Sequence, residues 1–260
     1  MTRKDLPENP QERKVIMLLS APEIMDLHSN KMEWIKSPNI TILEYPFDND
    51  SPILKTELYK SLDMANLIET GAILSQSPYD FKEYADARKL EDLIHFNALN
   101  KYTLFTRFCA KLGATRIYGK HFESEQNTSN KEFGGKAGYK IAEASAQVNR
   151  DLESKLSQEL ELEDIYEGDP NPNIEEAKQF LTDNHIFHDK VFTSLLEART
   201  GSGKLKSRNI SFSMTSESMQ SLKILGKIKY GPFNADGNYT SKCNNLRDIK
   251  ISLSVEFGKG

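Results

Sequence analysis

A chain of 260 residues, 38% hydrophobic and 28% charged, has enough apolar content to bury a core and too much to be read as intrinsically disordered. Its longest apolar run, Val15–Leu19, is too short to cross a bilayer, and its start (MTRKDLPENPQERK) lacks the apolar stretch of a secretory signal. Charge is unevenly divided: eleven Lys/Arg against four Asp/Glu put Arg199–Gly260 at +7, while the whole chain is at −4 and its first 198 residues therefore at −11.

Residues 1–13 are polar and Pro-containing, and read as a loose arm. Val15 to Leu27 is apolar and then helix-like, punctuated by Pro22. Ser37-Pro38 reads as a turn. Asn39 to Tyr45 is rich in β-branched residues and reads as a strand, and Pro46 to Pro52 as a loop. Leu54 to Leu74 fits one helix, with Leu54, Leu58, Leu62, Leu67 and Ile68 on a stripe. The clearest helix is expected from about Tyr79 to Leu112, stopped by Gly113 in the left-handed conformation.

A strand is expected at Ala114–Phe122, followed by a polar, Gly-containing loop over Glu123–Gly138. Residues 139–166 are ambiguous. Leu152, Leu156 and Leu160 fit a helix, whereas Leu156, Leu160 and Leu162 also fit the period of a strand. The flanking glycines favour strand for Lys155–Tyr166. Asn173 is a good N-cap for a helix running to about Asn184, with Glu175 and Glu176 in its first turn. A second helix is expected over Asp189–Arg199. Beyond the Gly201-Ser202-Gly203 joint, Leu205–Thr215, Leu222–Tyr230 and Asp248–Phe257 read as strands, with Asp236-Gly237 as a tight turn. The last strand alternates strictly: Ile249, Ile251, Leu253, Val255 and Phe257 interleave with Lys250, Ser252, Ser254 and Glu256.

The expected fold class is therefore α+β. A mostly helical part (1–122) precedes a β-rich, mainly antiparallel part (123–260) with a helical spacer at about 173–199. The stretch 133–166 and the strands after 205 share a grammar that points to two loosely equivalent β-units.

Candidate chemistry is sparse. Gly201-Ser202-Gly203-Lys204 resembles part of a phosphate loop, but Ala198 stands where the pattern needs glycine and Leu205 where it needs Ser or Thr. A helix precedes it and a strand follows, the reverse of a phosphate cradle. His185, His188 and Asp189 form the densest ligand-like cluster, two imidazoles and a carboxylate that could share a metal ion. The competing reading is a polar turn between two helices. Cys109 and His95 are separated by about 21 Å of rise on one helix, too far for a nucleophile–base pair. Glu159, Glu161, Glu163, Asp164, Glu167 and Asp169 crowd one stretch, without a calcium-loop pattern. They could bind a cation or act as acid and base, form a solvated face, or dock the chain's own basic tail.

Two cysteines give no disulfide framework, so a reducing cytoplasm is the expected compartment, with association to a membrane surface as an extension. The four Asn-x-Ser/Thr triplets are then chance matches. The basic β-region is expected to meet something negative through Lys204, Lys206, Arg208, Lys223, Lys227, Lys229 and Tyr230. Few exposed aromatics and little Arg place nucleic acid below the other partners. The expected function is a non-enzymatic interaction or assembly protein. Its basic β-face would engage a partner protein, a second copy of the chain or an anionic membrane; a pore-forming or membrane-perturbing effector is the sharpest version. No cofactor is expected. The alternative is a metal-dependent enzyme using His185, His188 and Asp189.

Overall fold

Two four-stranded sheets and seven α-helices make up the described part of this α+β chain, a computed structural model that describes residues 6–30, 32–124, 136–160, 163–201, 205–228 and 248–258. The chain divides into two compact units that interleave along the sequence. Unit 1 draws its described residues from Met1–Phe96, Lys140–Ala144 and Glu217–Leu246, and unit 2 from Asn97–Tyr139, Ser145–Ser216 and Arg247–Gly260.

Unit 1 is built on strands β1 (Val15–Leu19), β2 (Ile40–Glu44), β3 (Ala72–Gln76) and β4 (Tyr84–Asp86), in the order β2-β1-β3-β4. β1 and β2 are parallel; the other pairs are antiparallel. Every residue of β1 and β3 is buried. That explains the unbroken run Val-Ile-Met-Leu-Leu, because a strand covered on both faces does not alternate. Helix α1 (Ala21–Ser29) lies in the crossover from β1 to β2. Ser20 starts it in a capping box with Glu23, whose carboxylate accepts from the Ser20 N–H at 2.8 Å. Pro22 falls in its first turn, where a missing N–H costs nothing.

Three expectations for unit 1 are corrected. Residues 6–13 are not a loose arm: Pro10–Arg13 forms a 3-10 turn capped by Asn9, and Leu6 packs on the core. The helix expected over 54–74 is only α2 (Glu57–Met64), and β3 occupies its end. Asn66 takes the left-handed conformation (φ 54°), and the Leu67 N–H bonds back to the Leu62 carbonyl at 2.9 Å. This six-to-one bond is the Schellman stop, made by Asn rather than Gly. The helix expected from Tyr79 begins only at Leu90. β4 precedes it, held by the Tyr84 hydroxyl, which donates to the Arg13 carbonyl at 2.9 Å.

Helix α3 (Leu90–Lys111) continues the chain into unit 2, where the sheet order is β6-β5-β8-β7 and every pair is antiparallel. Its strands are β5 (Ala114–Ser124), β6 (Asp164–Ile165), β7 (Ser207–Ser213) and β8 (Ile249–Phe257). The helices α4 (Lys136–Glu159), α5 (Ile174–Asp183) and α6 (Lys190–Thr200) complete the order up to β7; α7 (Ser216–Leu225) follows it. An aromatic cluster fills the core of unit 2. Phe105 meets Phe212 at 4.8 Å and Phe192 at 5.7 Å, and Phe108 meets Phe192 at 5.4 Å.

Local signals were reliable in this unit. Asn173 caps α5 by accepting from the Glu176 N–H, and Asp189 caps α6 by accepting from the Val191 N–H. Gly113 stands at φ 79° just past α3, as expected. Two strand expectations fail. Residues 155–159 belong to helix α4, with Leu152 and Leu156 buried one turn apart; among the described residues of this stretch, only Asp164–Ile165 pairs as a strand. Residues 222–225 belong to helix α7, on which Leu222 and Leu225 are both buried. The idea of two equivalent β-units falls with them. The expected Asp236-Gly237 turn and most of the 123–138 loop lie outside the described residues.

Arg199 fastens the loops of unit 2. Its guanidinium donates to the carbonyls of Leu112 (3.0 Å), Leu205 (3.1 Å) and Asp169 (3.3 Å), and lies 4.8 Å from the Phe257 ring centre. Burial lowers its pKa, with Asp169 opposing that shift. Gly113 and Gly168 sit where these loops meet.

Candidate partner-binding surface

β8 lies between β5 and β7, and its alternation sorts two faces. Ile249, Ile251, Leu253, Val255 and Phe257 are no more than 5% exposed, whereas Lys250, Ser252, Ser254 and Glu256 are half-buried on the other face. The register lines up three polar rows across the sheet. Ser211, Ser252 and His121 form one; Asn209, Ser254 and Tyr118 the next; Ser207, Glu256 and Arg116 the third. A bulge at Gly119 (φ 68°) interrupts β5 between Tyr118 and His121. It lets two residues three apart share one face, which a regular strand forbids.

The charges on this face are largely paired. Arg116 bonds Glu163, a contact that raises the arginine pKa, and stacks 4.4 Å over the Tyr118 ring. The Tyr118 hydroxyl donates to Glu256 at 2.9 Å, and Ser254 donates to the Asn209 side-chain oxygen at 2.6 Å. Between these charged groups the face is rich in hydroxyls, from Ser207, Ser211, Ser252 and Ser254.

Among the described strands, β7 forms one edge of the sheet. Along it runs a cleft of about 190 Å³ lined by Lys190, Val191 and Ser194 of α6 and by Arg208, Asn209, Ile210 and Ser211 of β7. Arg208 donates to the Ser194 carbonyl at 3.1 Å. Its alkyl stem continues the inner face of β7 while its charged end reaches the cleft.

The expected basic residues do not share one strand. Lys206 is exposed just before β7, and Arg208 lies within it. Lys223 is exposed on helix α7 and Lys227 beyond its end, both in unit 1. A helix there, instead of the expected strand, breaks the continuous basic β-face. Lys204, Lys229 and Tyr230 lie outside the described residues.

The His185/His188/Asp189 cluster resolves into local roles. His185 is the left-handed residue (φ 56°) closing α5, with the Ile186 N–H bonding the Leu181 carbonyl at 3.0 Å. Asp189 caps α6 and pairs with Lys101 at 3.4 Å. Among the described residues, no three His, Cys, Asp or Glu side chains form a metal-holding group. Asp189→Ala is expected to cost about 1–3 kcal/mol through the lost cap and the lost contact with the buried Lys101, and His188→Ala less than about 0.5 kcal/mol. Urea unfolding alongside metal analysis checks this; stoichiometric metal lost with His188 would restore the metal reading.

Lys101 was missed from sequence. Its side chain is 3% exposed, 3.4 Å from both Asp189 and the Ser216 hydroxyl and 5.8 Å from the Phe212 ring centre. The signal was present: Asn97 and Lys101 fall on the stripe Ile94–Phe105–Phe108–Leu112, where polar residues have no solvent. The acidic stretch is likewise partly used inside unit 2. Glu163 pairs with Arg116, and Asp164 accepts from the Tyr102 hydroxyl at 2.5 Å. Burial, then that bond, holds Tyr102 well above the usual tyrosine range. Cys109 is a core residue whose thiol pKa burial pushes far up. A larger cleft of about 540 Å³, between the 170–174 turn and the end of α6, is walled by Arg199.

No family model, curated protein or solved structure matches this chain. No helix among the described residues is long and apolar enough to cross a membrane.

Proposed function

We propose that this chain is a non-enzymatic interaction protein and that the sheet of unit 2 is the surface through which it engages a partner protein. The observation that carries this reading is β7. Among the described residues it is an edge strand without proline or lysine, and its one charge, Arg208, is held at the Ser194 carbonyl. Beside it lies the hydroxyl-rich outer face. Ser and Asn side chains there adapt their hydrogen bonds to a partner at little desolvation cost.

The apolar stripe of β8, which the pore-forming version needs at a lipid surface, instead forms the core of unit 2. Burial of that stripe supports a partner protein over lipid for the folded form. A photo-crosslinking residue at Asn209 or Ser252, introduced in the native cell, is expected to give adducts of fixed mass, and the same residue at exposed Glu175 none. Adducts equal at all three positions, or absent at all three, would overturn the proposal. Co-sedimentation with anionic vesicles, abolished by Lys206→Glu and by salt, would move it to a membrane surface.

A further inference from the structure

We propose that the partner presents an acidic, extended segment that adds to β7 as a fifth strand, seated in the cleft between β7 and α6. This rests on the reading of the sheet as a binding surface and specifies its mode and its ligand.

The first argument is geometric. Successive strand residues point to opposite faces, so a cleft over one face is lined by every second residue. Here four consecutive residues, Arg208 to Ser211, line it. The cleft therefore runs along the backbone edge. Four residues at about 3.3 Å each give it roughly 13 Å of length, enough for a segment of about four residues. Lys190, Val191 and Ser194, one side of α6, form the opposite wall. Among the described residues, no backbone bond outside the sheet reaches Arg208–Ser211. In an antiparallel ladder, alternate residues of an edge strand aim their N–H and C=O away from the neighbour. A strand beside a helix-walled groove is the arrangement that strand addition requires.

The second argument is charge. The lining holds two cations, Lys190 and Arg208, and no carboxylate; Lys206 stands at the entrance to β7. The nearest acid in sequence, Asp189, is engaged by the Val191 N–H and Lys101. The amino end of α6 adds the positive end of its dipole. These features select an acidic segment. A second copy of the chain would bring its own Lys190, Lys206 and Arg208 to the same edge, and like charges there disfavour it. The chain's own acidic stretch is used elsewhere, since Glu163 and Asp164 are engaged around β6, at the opposite edge of the sheet.

The test uses the full chain and fluorescent octapeptides of alternating Glu and Val, compared with alternating Lys and Val and with the Glu peptide N-methylated at alternate amides. Fluorescence polarisation is expected to show binding of the Glu peptide, at least ten-fold weaker binding of the Lys peptide and no binding of the N-methylated one. Lys190→Glu and Lys206→Glu should each weaken the Glu peptide several-fold without unfolding the protein, because both side chains are exposed. Hydrogen exchange should slow within β7 on binding. Equal binding of the Glu and Lys peptides, indifference to N-methylation, or protection that spares β7 would overturn the proposal. So would no binding of the Glu peptide at millimolar concentration, or self-association of the chain through β7. Adducts at Asn209 and Ser252 would in those cases leave the broader interaction reading standing.

Discussion

Ile251→Asp and Leu253→Asp are expected to leave the protein unfolded or insoluble, while Ser252→Asp and Ser254→Asp give a folded, soluble chain. The four positions are consecutive, so the contrast isolates facing from location. Ile251 and Leu253 are buried on an interior strand of the sheet; Ser252 and Ser254 lie on the half-exposed face. Truncating either apolar side chain forfeits about 1.5–3 kcal/mol of burial, and a carboxylate without a partner adds a desolvation penalty of several kcal/mol more. Domains of this kind hold only about 5–15 kcal/mol in total. Soluble yield and circular dichroism decide it. Equal tolerance at all four positions would mean that β8 is not packed.

Gly113→Ala is expected to lower stability by about 2–5 kcal/mol. An alanine at φ 79° incurs about 1–2 kcal/mol for the left-handed conformation. Its Cβ would also stand 2.0 Å from the Asp169 carbonyl oxygen and 2.9 Å from the carbon behind it. That backbone has little freedom to retreat, because the same oxygen accepts from Arg199 at 3.3 Å. Relieving such overpacking costs about 1–3 kcal/mol more. Gly119→Ala supplies the control: its φ is also positive, at 68°, yet nothing lies within 4 Å of the added carbon. Chemical denaturation should show a loss at Gly113 at least twice that at Gly119. Equal losses would place the whole effect in backbone conformation and none in the packing against Asp169.

What was legible in the sequence was what is decided locally. Asn173 and Asp189 announce helix starts because a side-chain oxygen there satisfies N–H groups two or three residues on. The strand 249–257 is legible because one of its faces meets solvent. Errors arose where two periods coincide or a long-range contact decides. Leu152, Leu156 and Leu160 fit a helix while Leu156, Leu160 and Leu162 fit a strand, and as far as Glu159 the chain is helical. Val15–Leu19 and Ala72–Gln76, buried on both faces, carry no alternation to read. Asn66 ended a helix in a conformation usually signalled by glycine. For the candidate surface, the sequence showed the charge of Lys206 and Arg208. It did not show that α6 would flank β7, because that contact joins residues whose spacing carries no pattern.

The order of sheet positions differs from the order of synthesis. β8 lies between β5 and β7, yet it is the last of the three to be made. A nascent chain that has emerged only as far as residue 228 carries β7 with no strand beside it and β5 with only the two-residue β6. The apolar sides of Ile210 and Phe212 then lack their partners Leu253 and Ile251. Unit 2 therefore closes late and in one step, when residues 249–257 enter the gap between strands already present. Until then its precursor presents unpaired edges and apolar surface, the combination that recruits chaperones and seeds aggregation.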